Sequence, residues 1–272
     1  MRQILTWVVL AMAVIFSNSM LQAGDLSAYG YIPVAAYAPG DLGTFWRTDL
    51  YVQNLTNQAI VIGLLFYSSD GTYTTSVSYQ FLPLETKEFP NAVQNLFFYQ
   101  GSGWILADAS SIYNPGNPDD SLLGIYSRTY TVKEGVGSFG QGIDNQYPVP
   151  WGPKHFWGIQ NNADYRTNIG ITTIWSAVHF TIEYYDNTGA LVDSVPLEVP
   201  AASNVQFRIT QNIDNGSVIV WPEEDYSYMA YISRVDNASG DAIFIPGSAP
   251  ASWTAKEQDP ATMIHGVGRP IR

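Results

Sequence analysis

Between residues 178 and 185, apolar Val178, Phe180, Ile182 and Tyr184 alternate with His179, Thr181, Glu183 and Tyr185. A period of two puts one set on a buried face and the other in water, so the segment predicts a β-strand. Asp186-Asn187-Thr188-Gly189 supplies turn residues, and 191–199 reads as the returning strand of a hairpin. An earlier stretch repeats the arrangement, with a strand from Ala59 to Tyr67 that is apolar on both faces and a turn at Ser68-Ser69-Asp70-Gly71. Turn signals recur at intervals of roughly 8–12 residues and no sustained helical period appears, which predicts an all-β sandwich. A single short helical turn is expected over 92–97.

The likeness of the two hairpins extends to most of the chain. Phe45-Trp46-Arg47-Thr48-Asp49-Leu50 returns as Asp164-Tyr165-Arg166-Thr167-Asn168-Ile169, 119 positions later. Leu64-Leu65-Phe66-Tyr67 and Gly71 match Ile182-Glu183-Tyr184-Tyr185 and Gly189. Leu82-Pro83 matches Val199-Pro200, Gln94-Asn95-Leu96 matches Gln211-Asn212-Ile213, and Tyr126-Ser127-Arg128 matches Ile232-Ser233-Arg234. The order is kept while the offset shrinks to 106, as when loops lose residues. Two tandem β-sandwich domains, immunoglobulin-like or jelly-roll, are therefore expected over 24–140 and 141–247, each of ordinary sandwich size. Residues 248–272 form a tail, a candidate exchanged or docking strand.

The first 23 residues read differently. Arg2, an apolar run over residues 4–16 and the small-residue end at Ala23-Gly24 have the order of a secretory signal peptide. The apolar run is shorter than the roughly 20 residues of a membrane-spanning helix. Without residues 1–23 the chain keeps 24 acidic residues against 11 basic ones. Phosphate backbones would repel such a chain, so nucleic acid is not an expected partner. Cysteine is absent, which removes disulfides, zinc–thiolate sites and a thiol nucleophile at once. Charged residues are only 13% of the chain, about half the usual ~25%, and Tyr, Trp, Asn, Thr and Gly take their place. No membrane span is expected once the leader is removed, and the chain is read as secreted or held at the cell surface.

Ile32-Pro33-Val34-Ala35, Phe45-Trp46-Arg47-Thr48-Asp49-Leu50 and Ser138-Phe139-Gly140-Gln141-Gly142 resemble motifs of uncharacterised secreted bacterial proteins with tandem immunoglobulin-like β-sandwich repeats. The resemblance covers most of the mature chain. It implies the architecture, and it assigns no activity and no functional residues.

Candidate chemistry is sparse. His155, His179 and His265 have no zinc-site spacing, and His179 belongs to the wet face of its strand. The acidic clusters Asp119-Asp120 and Glu223-Glu224-Asp225 fall in corresponding loops and are the candidate calcium ligands, against the plainer reading of solvated loops. No cofactor other than calcium is expected. Neither a Gly-x-Ser-x-Gly elbow nor a phosphate-cradling glycine loop is present, and no pair of carboxylates stands out, so no catalytic residues are expected.

Trp46 and Tyr165 fall with Leu50 and Ile169 on the inward set and read as core residues. Trp104, Trp151, Trp157, Trp221 and Trp253 are read in or near loops, where they could stack on sugar rings or anchor an interface. The outer face of the first apolar strand, with Val61, Leu65 and Tyr67, calls for a cover, either the second domain or another subunit. Ile32 and Val34 alternate in a segment over 28–37 that could pair with a sheet edge of its own or a neighbouring chain. Together these features point to a non-catalytic secreted structural or adhesive protein, a subunit of an extracellular surface assembly or filament. It would associate with itself or with other surface proteins. The alternative is a carbohydrate-binding protein that meets glycans through loop aromatics; a secreted hydrolase has only generic carboxylates behind it.

Overall fold

The alternating segments become strands and the Gly- and Asp-rich segments become turns in a computed structural model, which describes residues 28–110, 122–150 and 152–248. The strands of the first half are β1 (Tyr29–Pro39), β2 (Phe45–Asn54), β3 (Ile60–Ser68), β4 (Thr74–Phe81), β5 (Thr86–Phe89), β6 (Gly101–Asp108), β7 (Leu123–Lys133) and β8 (Gly137–Asp144). A one-turn helix, α1 (Ala92–Asn95), follows β5 where the short helical turn is expected. The second half contains β9 (Val149–Pro150), β10 (Lys154–Asn161), β11 (Tyr165–Thr173), β12 (Val178–Tyr185), β13 (Leu191–Val199), β14 (Asn204–Arg208), β15 (Ile213–Pro222), β16 (Ser227–Asp236) and β17 (Ala242–Pro246). The fold is all-β and the strand pairs are antiparallel.

In the first half β1 runs beside β6 and touches β2 only through Tyr37, Ala38 and Pro39, so it joins two layers. One layer has the order β4-β3-β6-β1; the other is β5-β2-β7-β8. Ile32, Leu50, Ile62, Leu64, Phe66 and Ile105 fill the space between them. The second half has the orders β13-β12-β15-β10 and β14-β11-β16-β17, the same order within each layer with every strand number raised by nine, while its two layers are separate sheets and β9 adds to β16. Phe156, Ile169, Ile171, Phe180, Ile182 and Val218 belong to its core. β2 lies between β5 and β7, and β11 between β14 and β16, whereas the immunoglobulin order sets the second strand between the first and fifth.

The ladders correct two of the sequence matches by one residue. Leu50 faces Ser127 across the first ladder, and its counterpart Ile169 faces Ile232 across the second. Ser127 therefore corresponds to Ile232, not to Ser233. A slip of one flips every side chain to the other face. Ser127 is accordingly buried on the same face of β7 as Ile125, while Ser233 lies on the face of β16 opposite Ile232 and donates to Gln141 Oε1 at 3.0 Å. Ile60 pairs with Phe81 and Val178 with Val199, so Phe81, not Leu82, is the counterpart of Val199. The expected domain boundary after residue 140 falls inside β8, and the first set of pairings closes at Asp144.

The hairpin turns are built as the sequence suggests. Gly71 and Gly189 take φ of 70° and 82°, the left-handed region that other residues avoid. Asp70 Oδ1 accepts from the backbone N–H and the hydroxyl of Thr72, and Asp186 Oδ1 does the same for Thr188. The Ser68 hydroxyl, which donates to Asp70 Oδ1 at 2.6 Å, and then the Thr72 bonds hold the Asp70 carboxyl below the usual carboxylate range, and the Thr188 hydroxyl and the backbone N–H groups of its turn do so for Asp186.

Candidate functional site

β1 carries a register shift between Ile32 and Ala35, which breaks its alternation. Ile32 and Val34 both pack into the first core, so this segment is an internal strand of its own chain. The Pro33 carbonyl within the shift accepts from Thr172 Oγ1 at 2.9 Å and Asn204 Nδ2 at 3.1 Å, both in the second half. This is the centre of a seam in which the outer face of β14-β11-β16-β17 lies against the first half.

At the seam Tyr67 stacks on Trp104 with centroids 4.2 Å apart. Leu65 and Leu106 complete a patch that packs with Ile174 and Met229 of the second half. The indole N–H of Trp104 donates to the Ala202 carbonyl at 3.2 Å. Tyr231, although on β16, is fully buried in the first half's core cluster. Gly170 lies flat beneath its ring, and a Cβ there would overlap the ring atoms. Of the residues expected to need a cover, Leu65 and Tyr67 are therefore packed, while Val61 stays 49% exposed.

The matching outer face of β13-β12-β15-β10 carries aromatic and acidic groups. Trp157 is 64% exposed on β10. Glu183 Oε2 accepts from the Tyr185 hydroxyl at 2.7 Å and from the Trp221 indole at 2.8 Å. Glu224 accepts from the backbone N–H of His179 at 2.8 Å and lies 2.7 Å from its Nδ1. That contact, with the charge of Glu224 and further help from Glu198 and Glu223, raises the His179 pKa. Glu223 takes the Thr181 hydroxyl at 3.1 Å.

Between the halves lies a cleft of about 680 Å³. Its wall on the second half presents Arg166 and Asn168 from β11 and Gln206 and Arg208 from β14; opposite stand Trp46, Asp41 and Asp70. Arg208 is directly across from Asn168, and Arg166 is two residues further along the same face. Diagonal neighbours of this kind lie roughly 7–8 Å apart, their Cβ atoms somewhat closer. Arg166 is only 3% exposed, and its side chain has one hydrogen bond among the described residues, Nη1 to Asn237 Oδ1 at 3.1 Å. Burial lowers its pKa and Arg208 adds to this, while Asp41 and Asp236 oppose it. Among the described residues no carboxylate forms an ion pair with either arginine.

Several sequence expectations change here. Trp104 is a buried strand residue rather than a loop residue, and Trp157 and Trp221 lie on β10 and β15. Trp46 and Tyr165, read as core, are half-buried at strand ends: Trp46 lines the cleft, and the Tyr165 ring lies beneath the Arg234 guanidinium. Glu223 and Glu224 are engaged with Thr181 and His179, and Asp225 stands exposed beside them. Among the described residues no group of three or more His, Asp or Glu side chains could hold a metal ion. Asp119, Asp120, Trp151, Trp253, His265 and the leader peptide lie outside the described residues. Among those described, no helix is long and apolar enough to cross a membrane. The cleft residues Arg166, Asn168, Gln206 and Arg208 escape a reading of the sequence; the available signal is two cations on the polar faces of neighbouring strands in a chain with 12 basic residues.

The chain matches no protein-family model and no curated protein. Among solved structures it aligns with the recombinant pro-11S globulin of pumpkin at 10% identity and a TM-score of 0.20, over 82% of this chain and 88% of that one. It aligns with Bacteroides uniformis β-glucuronidase 2 at 11% identity and a TM-score of 0.15, over 76% of this chain and 26% of that one. For the infectious bursal disease virus Gt strain the values are 13% and 0.14, over 90% of this chain and 84% of that one. Likenesses at this level carry no argument about fold or function.

Proposed function

We propose that this chain is a secreted, non-catalytic structural or adhesive protein of two tandem β-sandwich domains, and that it builds an extracellular assembly by head-to-tail association. The observation that carries the reading is the seam. The outer face of β4-β3-β6-β1 is covered by the second half through Leu65, Tyr67 and Leu106. Leu65 pairs with Leu106, and its sequence counterpart Glu183 pairs with Ile219, so Ile219 takes the place of Leu106 in the second half. There it is half-exposed, on the same layer as Trp157. The counterpart of the covering face is the outer side of β5-β2-β7-β8, where Tyr51 and Tyr126 lie with ring centroids 5.4 Å apart.

The contact inside the chain joins two different faces, one from each half. Repeating it between chains gives a heterologous contact, which generates rings or open filaments. Light scattering of the mature protein over a concentration series tests this. Mass should grow with concentration, and Trp157→Lys or Tyr126→Lys should hold the protein at one chain. A constant mass of one chain up to about 100 μM, where contacts of even modest affinity are populated, rejects the reading.

A further inference from the structure

We infer that the cleft between the two halves is a binding site for an acidic saccharide, a sugar ring bearing a carboxylate. The inference rests on the cleft geometry and is independent of the assembly proposed above. Arg166 and Arg208 face the same space from adjacent strands and have no acidic partner within ion-pair distance among the described residues. Arg166 is almost wholly buried, yet its side chain makes only one hydrogen bond among the described residues, to a neutral amide. A guanidinium offers five N–H donors in a fork that suits a carboxylate, so this site leaves donors for a ligand.

The remaining lining suits a sugar. The Asn168 and Gln206 side chains beside the arginines can donate to and accept from ring hydroxyls, and Gln206 already meets the Tyr231 hydroxyl at 2.8 Å. Trp46 supplies an indole on the opposite wall with no hydrogen bond to its N–H among the described residues. Aromatic faces stack on the apolar side of pyranose rings. The cleft volume of about 680 Å³ falls in the range of small-molecule sites and has room for one or two rings. Asp41 and Asp70 share the lining and would repel a highly charged anion, which favours a single carboxylate among hydroxyls over a phosphate.

The test is calorimetric titration of the mature protein with galacturonic acid, which carries one carboxylate, with neutral galactose, and with inorganic phosphate. Galacturonate should bind saturably, and galactose at least about tenfold more weakly. Arg208→Gln should lose about tenfold in affinity with its unfolding midpoint unchanged, since Arg208 is exposed; Arg128→Gln, on the first half's outer face, should bind as wild type. Arg166→Lys keeps the charge but not the fork and should also weaken binding. The inference is overturned by no saturable binding up to about 10 mM, by phosphate binding as tightly as the sugar acid, or by Arg208→Gln matching wild type.

Discussion

At the scale of single residues, the two described histidines should respond to pH in opposite directions. His179 is exposed and hydrogen-bonded to Glu224, which favours its charged form. A raised folded-state pKa contributes stability that is present below the ordinary value near 6.5 and lost as pH rises through the raised one. His155 is partly buried with no partner for Nε2 among the described residues, and desolvation lowers its pKa. Its contribution is present above about 6.5 and lost as pH falls through the lowered value. An NMR titration should place the His179 ring above, and the His155 ring below, free histidine; the reverse order would refute both environments. The exposure of His179 is legible from alternation alone. Its Glu224 partner is not, because Glu224 follows another strand and is 45 positions away.

At the scale of elements, β11 shows how a strand can be read correctly on one face and missed on the other. Ile169 and Ile171 enter the second core, as the repeat expects. Its opposite face, with Gly170 and Thr172, is buried in the seam and reads as ordinary polar alternation in the sequence. Gly170→Ala would drive a methyl group into Tyr231, whose ring is fully buried and cannot swing away. Chemical denaturation should show a loss of about 1–3 kcal/mol, the usual cost of overpacking. A stability equal to wild type would mean that the seam gives way easily. The register of β16 escapes the sequence for a related reason: Ser-Arg occurs in both halves, but identical dipeptides one residue out of phase occupy opposite faces.

At the scale of the whole molecule, the two halves are joined by buried aromatics and by hydrogen bonds to Pro33, Ser69 and Ala202. Tyr231 from the second half completes the first core. Scanning calorimetry should therefore give one unfolding transition with equal calorimetric and van't Hoff enthalpies. Two separated transitions would mean that the halves melt as independent bodies.

The all-β character, the hairpin turns and the twofold recurrence of segments follow from the sequence by itself, because strand period and turn chemistry are local properties. Alternation reports which side chains share a face, and Gly and Asp report where the backbone must reverse. What covers each face was decided only by the tertiary structure. The burial of Trp104, the capture of Thr172 and Asn204 by a displaced Pro33 carbonyl, and the meeting of Arg166 with Trp46 across a cleft join residues up to 171 positions apart. Such contacts depend on how one half of the chain is seated on the other, and neither periodicity nor composition encodes that placement.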